Sequence, residues 1–398
     1  MTENTDVVVV GAGYAGVLAA NRLTRRDDVT VTLINPRPIF VNRVRLHQLV
    51  AGSHEAVVDL AAILSDRVRL VVDTATRIEV AERTVTTTDS GRVGYDYLVY
   101  AVGSRGADPD VPGAGEFAYP MATWEDARRL RPVIEAASPT AAVTVVGAGA
   151  TGIEVAAELA EQGRRVNLVC GRVLGPYLHP RVRRSVAERL SALGVVILEG
   201  PDAQVTAVTS ESVRLSGGHS LSSAVTIWTA GFGVPDLAAR SGLSTDAIGR
   251  LRTDDTLTSV DDPRVVAAGD SAAPSDMPLR MSCQTARPLG AHAADTVLAR
   301  IAGTRPAVIE VGSFGQCIGL GRHAATVQLA SRDDIANRFS LGGRLAARIK
   351  ERACVKVVEE LADEARDPGS FTWAFEDRKR QRLLADATAR ADRAKAAH

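Results

Sequence analysis

Apolar positions along this chain fall into short unbroken runs that alternate with stretches of helical period, and that order occurs twice. Asp6 to Val10 is a β-branched run, followed by Gly11-Ala12-Gly13-Tyr14-Ala15-Gly16 and then a helical pattern through Leu18, Ala19 and Leu23. The arrangement returns 136 residues on, with Ala142 to Val146 as strand, Gly147-Ala148-Gly149-Ala150-Thr151-Gly152 as turn, and Ile153 to Gly163 as helix. Each unit runs into a further strand, Val29 to Ile34 in the first and Arg165 to Val169 in the second. Continuous apolar strands joined through helices are buried on both faces, so the pattern predicts an α/β chain with two parallel sheets.

Between the units, residues 106–115 are dense in Gly, Pro and Asp and read as the crossing from one domain to the next. Val225 to Trp228 and Val265 to Ala268 are further strands, the latter running into Gly269-Asp270. Phe314 to Leu329 alternates like a hairpin. Leu341, Leu345, Ile349, Ala353, Val357 and Leu361 recur every four residues, which predicts an amphipathic helix whose natural use is packing on the chain's own core or on a second subunit. The residues from Glu376 onward, charged or small, read as peripheral. The expected domains are 1–110 completed by 246–305, then 111–245, then a C-terminal region, 306–398, of hairpin, helix and charged tail.

Charge and composition narrow the chemistry. Acidic and basic residues balance at 47 each, against a nucleic-acid binder. None of the four lysines (Lys350, Lys356, Lys379, Lys395) follows a glycine, so no Walker-type phosphate loop exists. The cysteines (Cys170, Cys283, Cys317, Cys354) make no CxxC pair, and the seven histidines show no metal-ligand spacing. No signal peptide or apolar run of spanning length is evident, which points to the cytoplasm.

Each glycine turn has a physical purpose. The first glycine allows the strand-to-helix bend, the second lets backbone approach a pyrophosphate, and the third lets helix and strand touch, while the helix N-terminus offers free N–H groups to the anion. Two such turns in strand and helix context predict two Rossmann-like dinucleotide-binding domains, with Gly11, Gly13 and Gly16 at one ligand and Gly147, Gly149 and Gly152 at the other.

The order of these turns with Tyr97-Leu98-Val99-Tyr100-Ala101-Val102-Gly103-Ser104 and Val265-Val266-Ala267-Ala268-Gly269-Asp270 resembles the two-dinucleotide FAD/NAD(P)-dependent oxidoreductases. That resemblance implies FAD on the first turn, NADH or NADPH on the second, and Asp270 on the FAD ribitol. Ala75 and Gly103 are further candidates for FAD contacts. Residues 39–48 lack the cysteine pair of the disulfide reductases and resemble type II NADH dehydrogenases and apoptosis-inducing-factor-like proteins, as do Cys283-Gln284-Thr285-Ala286 and Ile318-Gly319-Leu320-Gly321-Arg322. By the same resemblance Arg43 reaches FAD phosphate, Glu154 sits near the nicotinamide, and Gln284 opens a helix whose N-terminus favours negative charge at the flavin. Arg43 otherwise belongs to a solvated face, and Glu154 and Gln284 to ordinary helix starts.

Three departures matter. Pro288 stands where that family's quinone signature has a second glutamine, which weakens a membrane-quinone reading. Asn35 replaces the acid that grips the FAD adenosine ribose, and its amide can still accept from a hydroxyl. Cys170 replaces the corresponding acid in the second unit, with Arg172 two residues on, which opens the site to a 2′-phosphate. The expected function is an FAD-dependent NAD(P)H dehydrogenase passing two electrons to a quinone-like or other small acceptor. A redox sensor like apoptosis-inducing factor and a ferredoxin or rubredoxin reductase are the alternatives. The weak stripe and acidic second half of the C-terminal helix argue against a membrane role.

Overall fold

The computed structural model describes residues 4–386. In chain order the strands of its two central sheets are β1 (Thr5–Val10), β2 (Val29–Asn35), β3 (Val68–Val72), β4 (Tyr97–Tyr100), β5 (Ala118–Pro120), β6 (Ala142–Val146), β7 (Arg165–Gly171), β8 (Val196–Glu199), β9 (Val225–Trp228) and β10 (Val265–Ala267). They sort into two five-stranded sheets, β10-β4-β1-β2-β3 and β5-β9-β6-β7-β8, in which every neighbouring pair is parallel. β1 and β6 are central because their valines can be covered on both faces: Val7 to Val10 are at most 4% exposed, Val143 to Val146 at most 5%.

The turn-rich stretch after β4 carries the chain outward, and its return lies beside it, with Arg105–Gly106 paired antiparallel to Phe232–Gly233. The first sheet therefore draws its edge strand β10 from beyond the whole second sheet. Helix α1 (Tyr14–Leu23) leaves the first glycine turn and α2 (Ala150–Glu161) the second, while α3 (Cys283–Ile301) returns to lie on α1. A Cβ on Gly290 of α3 would stand 2.3 Å from the Ala15 carbonyl oxygen, so the two helices meet backbone to backbone.

The C-terminal layer differs from the sequence expectation in four ways. The hairpin, β11 (Gly315–Gly319) with β12 (Ala325–Ala330), gains a third antiparallel strand, β13 (Ala336–Gly342). Leu341 lies on that strand, and helix α4 starts after it, at Gly343–Arg366. The apolar stripe divides: Val357 and Leu361 are buried in the first domain's core, whereas Leu345 and Ile349 are 55% and 41% exposed. The stretch after Glu376 begins inside the fold. Glu376 pairs with Val311, and buried Arg380 donates to Asp255 (2.9 Å) and to the carbonyls of Met277 and Pro274. The rest of that charged tail, 387–398, lies outside the described residues.

Candidate functional site

Both glycine turns are built alike. Gly11 and Gly147 adopt φ of +101° and +122°, where an L side chain is strained. A Cβ on Gly16 would stand 1.7 Å from the Gly11 oxygen, and one on Gly152 would stand 2.0 Å from the Gly147 oxygen. A Cβ on Gly13 or Gly149, by contrast, would meet nothing within 4 Å. The outer glycines close the turn and the middle one faces open space. Gly13 and Gly149 are also the N-caps of α1 and α2, and neither helix has a side-chain cap or an acid in its first turn. The uncapped N–H groups of both helices suit an anion.

Around the first turn, Asp270 provides the sharpest test of fit. Its Oδ2 accepts from Ser104 Oγ at 2.7 Å, while its Oδ1 is buried without any hydrogen-bond partner. A buried carboxylate oxygen left bare costs about 1–3 kcal/mol or more, so a ligand hydroxyl such as those of FAD ribitol suits the position. Ser104 is held in turn by Arg43, which donates to its carbonyl and hydroxyl at 2.9 and 3.0 Å and to the Ala122 carbonyl at 3.0 Å. Arg43 is half-buried; it fixes Ser104 beside Gly103 and ties the first unit to the second.

Asn35 holds the same turn from the neighbouring strand end. Its Oδ1 accepts from Ala12 N at 3.0 Å and its Nδ2 donates to the Arg37 carbonyl at 2.7 Å. The amide thus locks the glycine turn. Its backbone carbonyl accepts from Asp73 N, which brings Ala75, two residues farther on, to the same sheet end.

Glu154, on α2, is buried at a junction of three regions. Its Oε1 accepts from Gly319 N on β11 (2.9 Å) and from Lys350 Nζ on α4, and its Oε2 lies 3.5 Å from His47 Nδ1. Burial pushes the carboxyl up, but the Lys350 charge and these neighbours outweigh it and hold Glu154 below its ordinary value. Lys350 is raised, its burial outweighed by Glu154. His47 is pushed down to about 4, chiefly by burial, and stays neutral at neutral pH. Glu154 is therefore an interior anchor rather than a plain helix-start acid.

Gln284 is likewise committed. Its Nε2 donates to the Gly315 carbonyl at 2.9 Å and its Oε1 accepts from Phe314 N at 3.2 Å, so it pins the start of β11 to the N-terminus of α3. Arg172 is exposed and forms no ion pair among the described residues, while Cys170 is half-buried at the bulge that ends β7. Sequence reasoning passed over Ser104, His47 and Lys350. The only signal for Lys350 was rarity: in a chain that uses arginine almost everywhere, a lysine is a choice. Among the described residues, no group of three or more His, Cys, Asp or Glu is placed to hold a metal, and no helix is long and apolar enough to cross a membrane.

This doubled geometry has known counterparts. Residues 5–294 match the pyridine nucleotide-disulphide oxidoreductase family. The chain belongs to it. Among relatives of this oxidoreductase, an NADH dehydrogenase-like protein of Mycobacterium tuberculosis is 34% identical over 74% of this chain and 80% of its own length. A type II NADH:quinone oxidoreductase of the same organism is 28% identical over 76% of this chain and 74% of its own. In fold, the sulfide:quinone oxidoreductase of Aquifex aeolicus superposes with a TM-score of 0.78, covering 90% of this chain and 92% of its own at 19% identity. The Plasmodium falciparum NDH2 solved with NADH gives 0.76, covering 94% and 99% at 16% identity.

Proposed function

We propose that this chain is an FAD-dependent NADH dehydrogenase that passes two electrons to a quinone. The observation that carries the reading is the bare Asp270 Oδ1 in front of one of two matched, open glycine turns. The relatives named as NADH dehydrogenase-like proteins and NADH:quinone oxidoreductases support the choice of donor and acceptor. When bound, FAD would supply the redox chemistry, taking hydride from the nicotinamide and handing electrons to the acceptor.

The chain's own residues do the holding. The uncapped end of α1 takes the FAD pyrophosphate, Asp270 Oδ1 accepts from ribitol, and Ser104 and Arg43 keep Asp270 in place. The uncapped end of α2 takes the coenzyme pyrophosphate. Reducing a quinone to a quinol consumes two protons, which solvent supplies; Lys350 Nζ, held charged by Glu154 Oε1, instead ties the coenzyme unit to the C-terminal layer.

An exposed face supports a lipid-dissolved acceptor, against the sequence reading of the C-terminal helix. Phe339, Leu345 and Ile349 are exposed beside Arg338, Arg344 and Arg348, which make no ion pairs among the described residues, and residues 336–350 contain no acid. Apolar side chains interleaved with unpaired cations suit an anionic lipid surface.

The deciding experiment mixes the yellow protein anaerobically with NADH and then with a short-chain quinone, a ferredoxin or oxygen. Rapid bleaching followed by fast reoxidation with the quinone alone is expected. Persistent bleached protein under every acceptor would instead mark a redox sensor.

A further inference from the structure

The second glycine unit lacks an acid where dinucleotide sites usually place one, and the structure puts an acid one strand over. Resting on the reading of that unit as the coenzyme site, we infer that Glu199 takes the role left open at Cys170 and selects a coenzyme without a 2′-phosphate.

β7 and β8 end side by side. Gly171 pairs with Glu199, Gly200 N donates to the Gly171 carbonyl at 2.8 Å, and the register slips between Val169 and Gly171, which leaves Cys170 as the extra residue of a bulge. The Cys170 thiol turns back on its own strand, 3.8 Å from the Leu168 carbonyl. Glu199 is exposed at the carboxyl end of its strand, the side of an open parallel sheet where ligands bind. Its Oε2 accepts from Leu174 N at 2.8 Å, and its Oε1 has no partner among the described residues. The next residue, Gly175, donates to the Ala148 carbonyl at 3.0 Å inside the glycine turn itself. One carboxylate oxygen therefore fastens the loop that lines the turn, and the other is left for a ribose hydroxyl. Its charge reaches the Cys170 position, where burial and then Glu199 push the thiol up to about 12.

A 2′-phosphate brings close to two negative charges to that spot. Both side chains are solvent-exposed and screened alike, but Glu199 is fixed by its bond to Leu174 N whereas Arg172 has no ion-pair partner among the described residues to hold it. Repulsion from a fixed carboxylate therefore outweighs attraction to a loose guanidinium.

The test measures binding without turnover. Titration calorimetry of the FAD-loaded protein with ADP-ribose and with its 2′-phosphorylated form gives a ratio of dissociation constants for wild type, Glu199→Gln and Arg172→Ala. Glutamine keeps an acceptor for Leu174 N while removing the charge. Wild type should favour the unphosphorylated probe by about tenfold or more, equivalent to about 1.4 kcal/mol. Glu199→Gln should lose most of that preference by gaining affinity for the phosphorylated probe, and Arg172→Ala should keep it. An unchanged ratio in Glu199→Gln, or a wild type that prefers the phosphorylated probe, overturns the inference. A wild type that binds neither probe overturns the coenzyme-site reading beneath it.

Discussion

The two glycine turns share one backbone and differ in what surrounds it. At the first, Asn35 bonds directly to Ala12 N, nine of the ten residues of α1 are buried, and α3 touches α1 without side chains between. At the second, the corresponding position is a bulged cysteine, and the turn is closed by Thr229, whose Oγ1 donates to the Val146 carbonyl at 2.9 Å. The first turn is locked by a side chain of its own sheet and covered by a returning helix, as suits a ligand that stays. The second is held by Thr229 and by the buried Leu174–Gly175 backbone, which bonds to Glu199 and to the Ala148 carbonyl. Turns of one backbone are thus held by different partners, with the difference written in the neighbouring strand end.

The sharpest way to break the comparison is at the middle glycines. Because a Cβ there meets no protein atom, Gly13→Val and Gly149→Val should both fold. Gly13→Val should purify almost colourless, whereas Gly149→Val should keep its flavin and no longer bleach with NADH. Flavin absorbance per chain reads both outcomes, and full flavin in Gly13→Val would remove the first turn from the cofactor site. Next in size, Lys350→Met strands the buried Glu154 carboxylate and should destabilise the protein by about 3–5 kcal/mol in denaturant unfolding. Adding Glu154→Gln should restore most of that loss, and a double variant no better than the single would deny the pairing.

A pH dependence follows from His47. Its folded pKa, about 4, lies below its ordinary 6.5, so as pH falls through that window the unfolded chain takes up a proton that the folded chain refuses. Stability from this group is complete above pH 6.5 and declines toward pH 4, by up to about 3 kcal/mol. His47→Gln should flatten that slope in unfolding curves taken across the window. The smallest effect expected is at Gln284: Gln284→Ala removes both bonds to residues 314 and 315 and should cost about 1–3 kcal/mol, with slower acceptor turnover and unchanged bleaching by NADH. Unchanged stability would return Gln284 to the role of a free acceptor-site amide.

The parts legible in the sequence were those whose signal is local. Glycine spacing and apolar runs announced both sheets, because a tight turn and a doubly buried strand constrain consecutive residues. The junction at Glu154 was invisible, since Lys350 lies 196 residues away and His47 on a different element, and nothing near Glu154 encodes either partner. Strand β13 was hidden for another reason. Leu341 satisfied a period of four with Leu345 and a period of two with Phe339, and the chain used the second. The protein partners of Asn35, Arg43 and Gln284 were equally hidden, because only three-dimensional neighbours reveal which backbone groups a polar side chain holds.

The far end of α4 has a consequence for the order in which this molecule is made. Asn21 of α1 donates to the Leu361 carbonyl at 3.0 Å, and the buried Glu364 accepts from Arg22, Gly369 and Phe371. These contacts join the first helix to residues some 340 positions later. On the ribosome, the opening βαβ unit emerges with one flank of α1 uncovered, and it waits for nearly the whole chain before that flank is sealed. The coenzyme unit, continuous from β5 to β9, can complete its own sheet in the meantime. Synthesis therefore passes through a stage in which the later-made sheet is closed while the first-made one is still exposed, and that exposed flank is where a chaperone would be needed most.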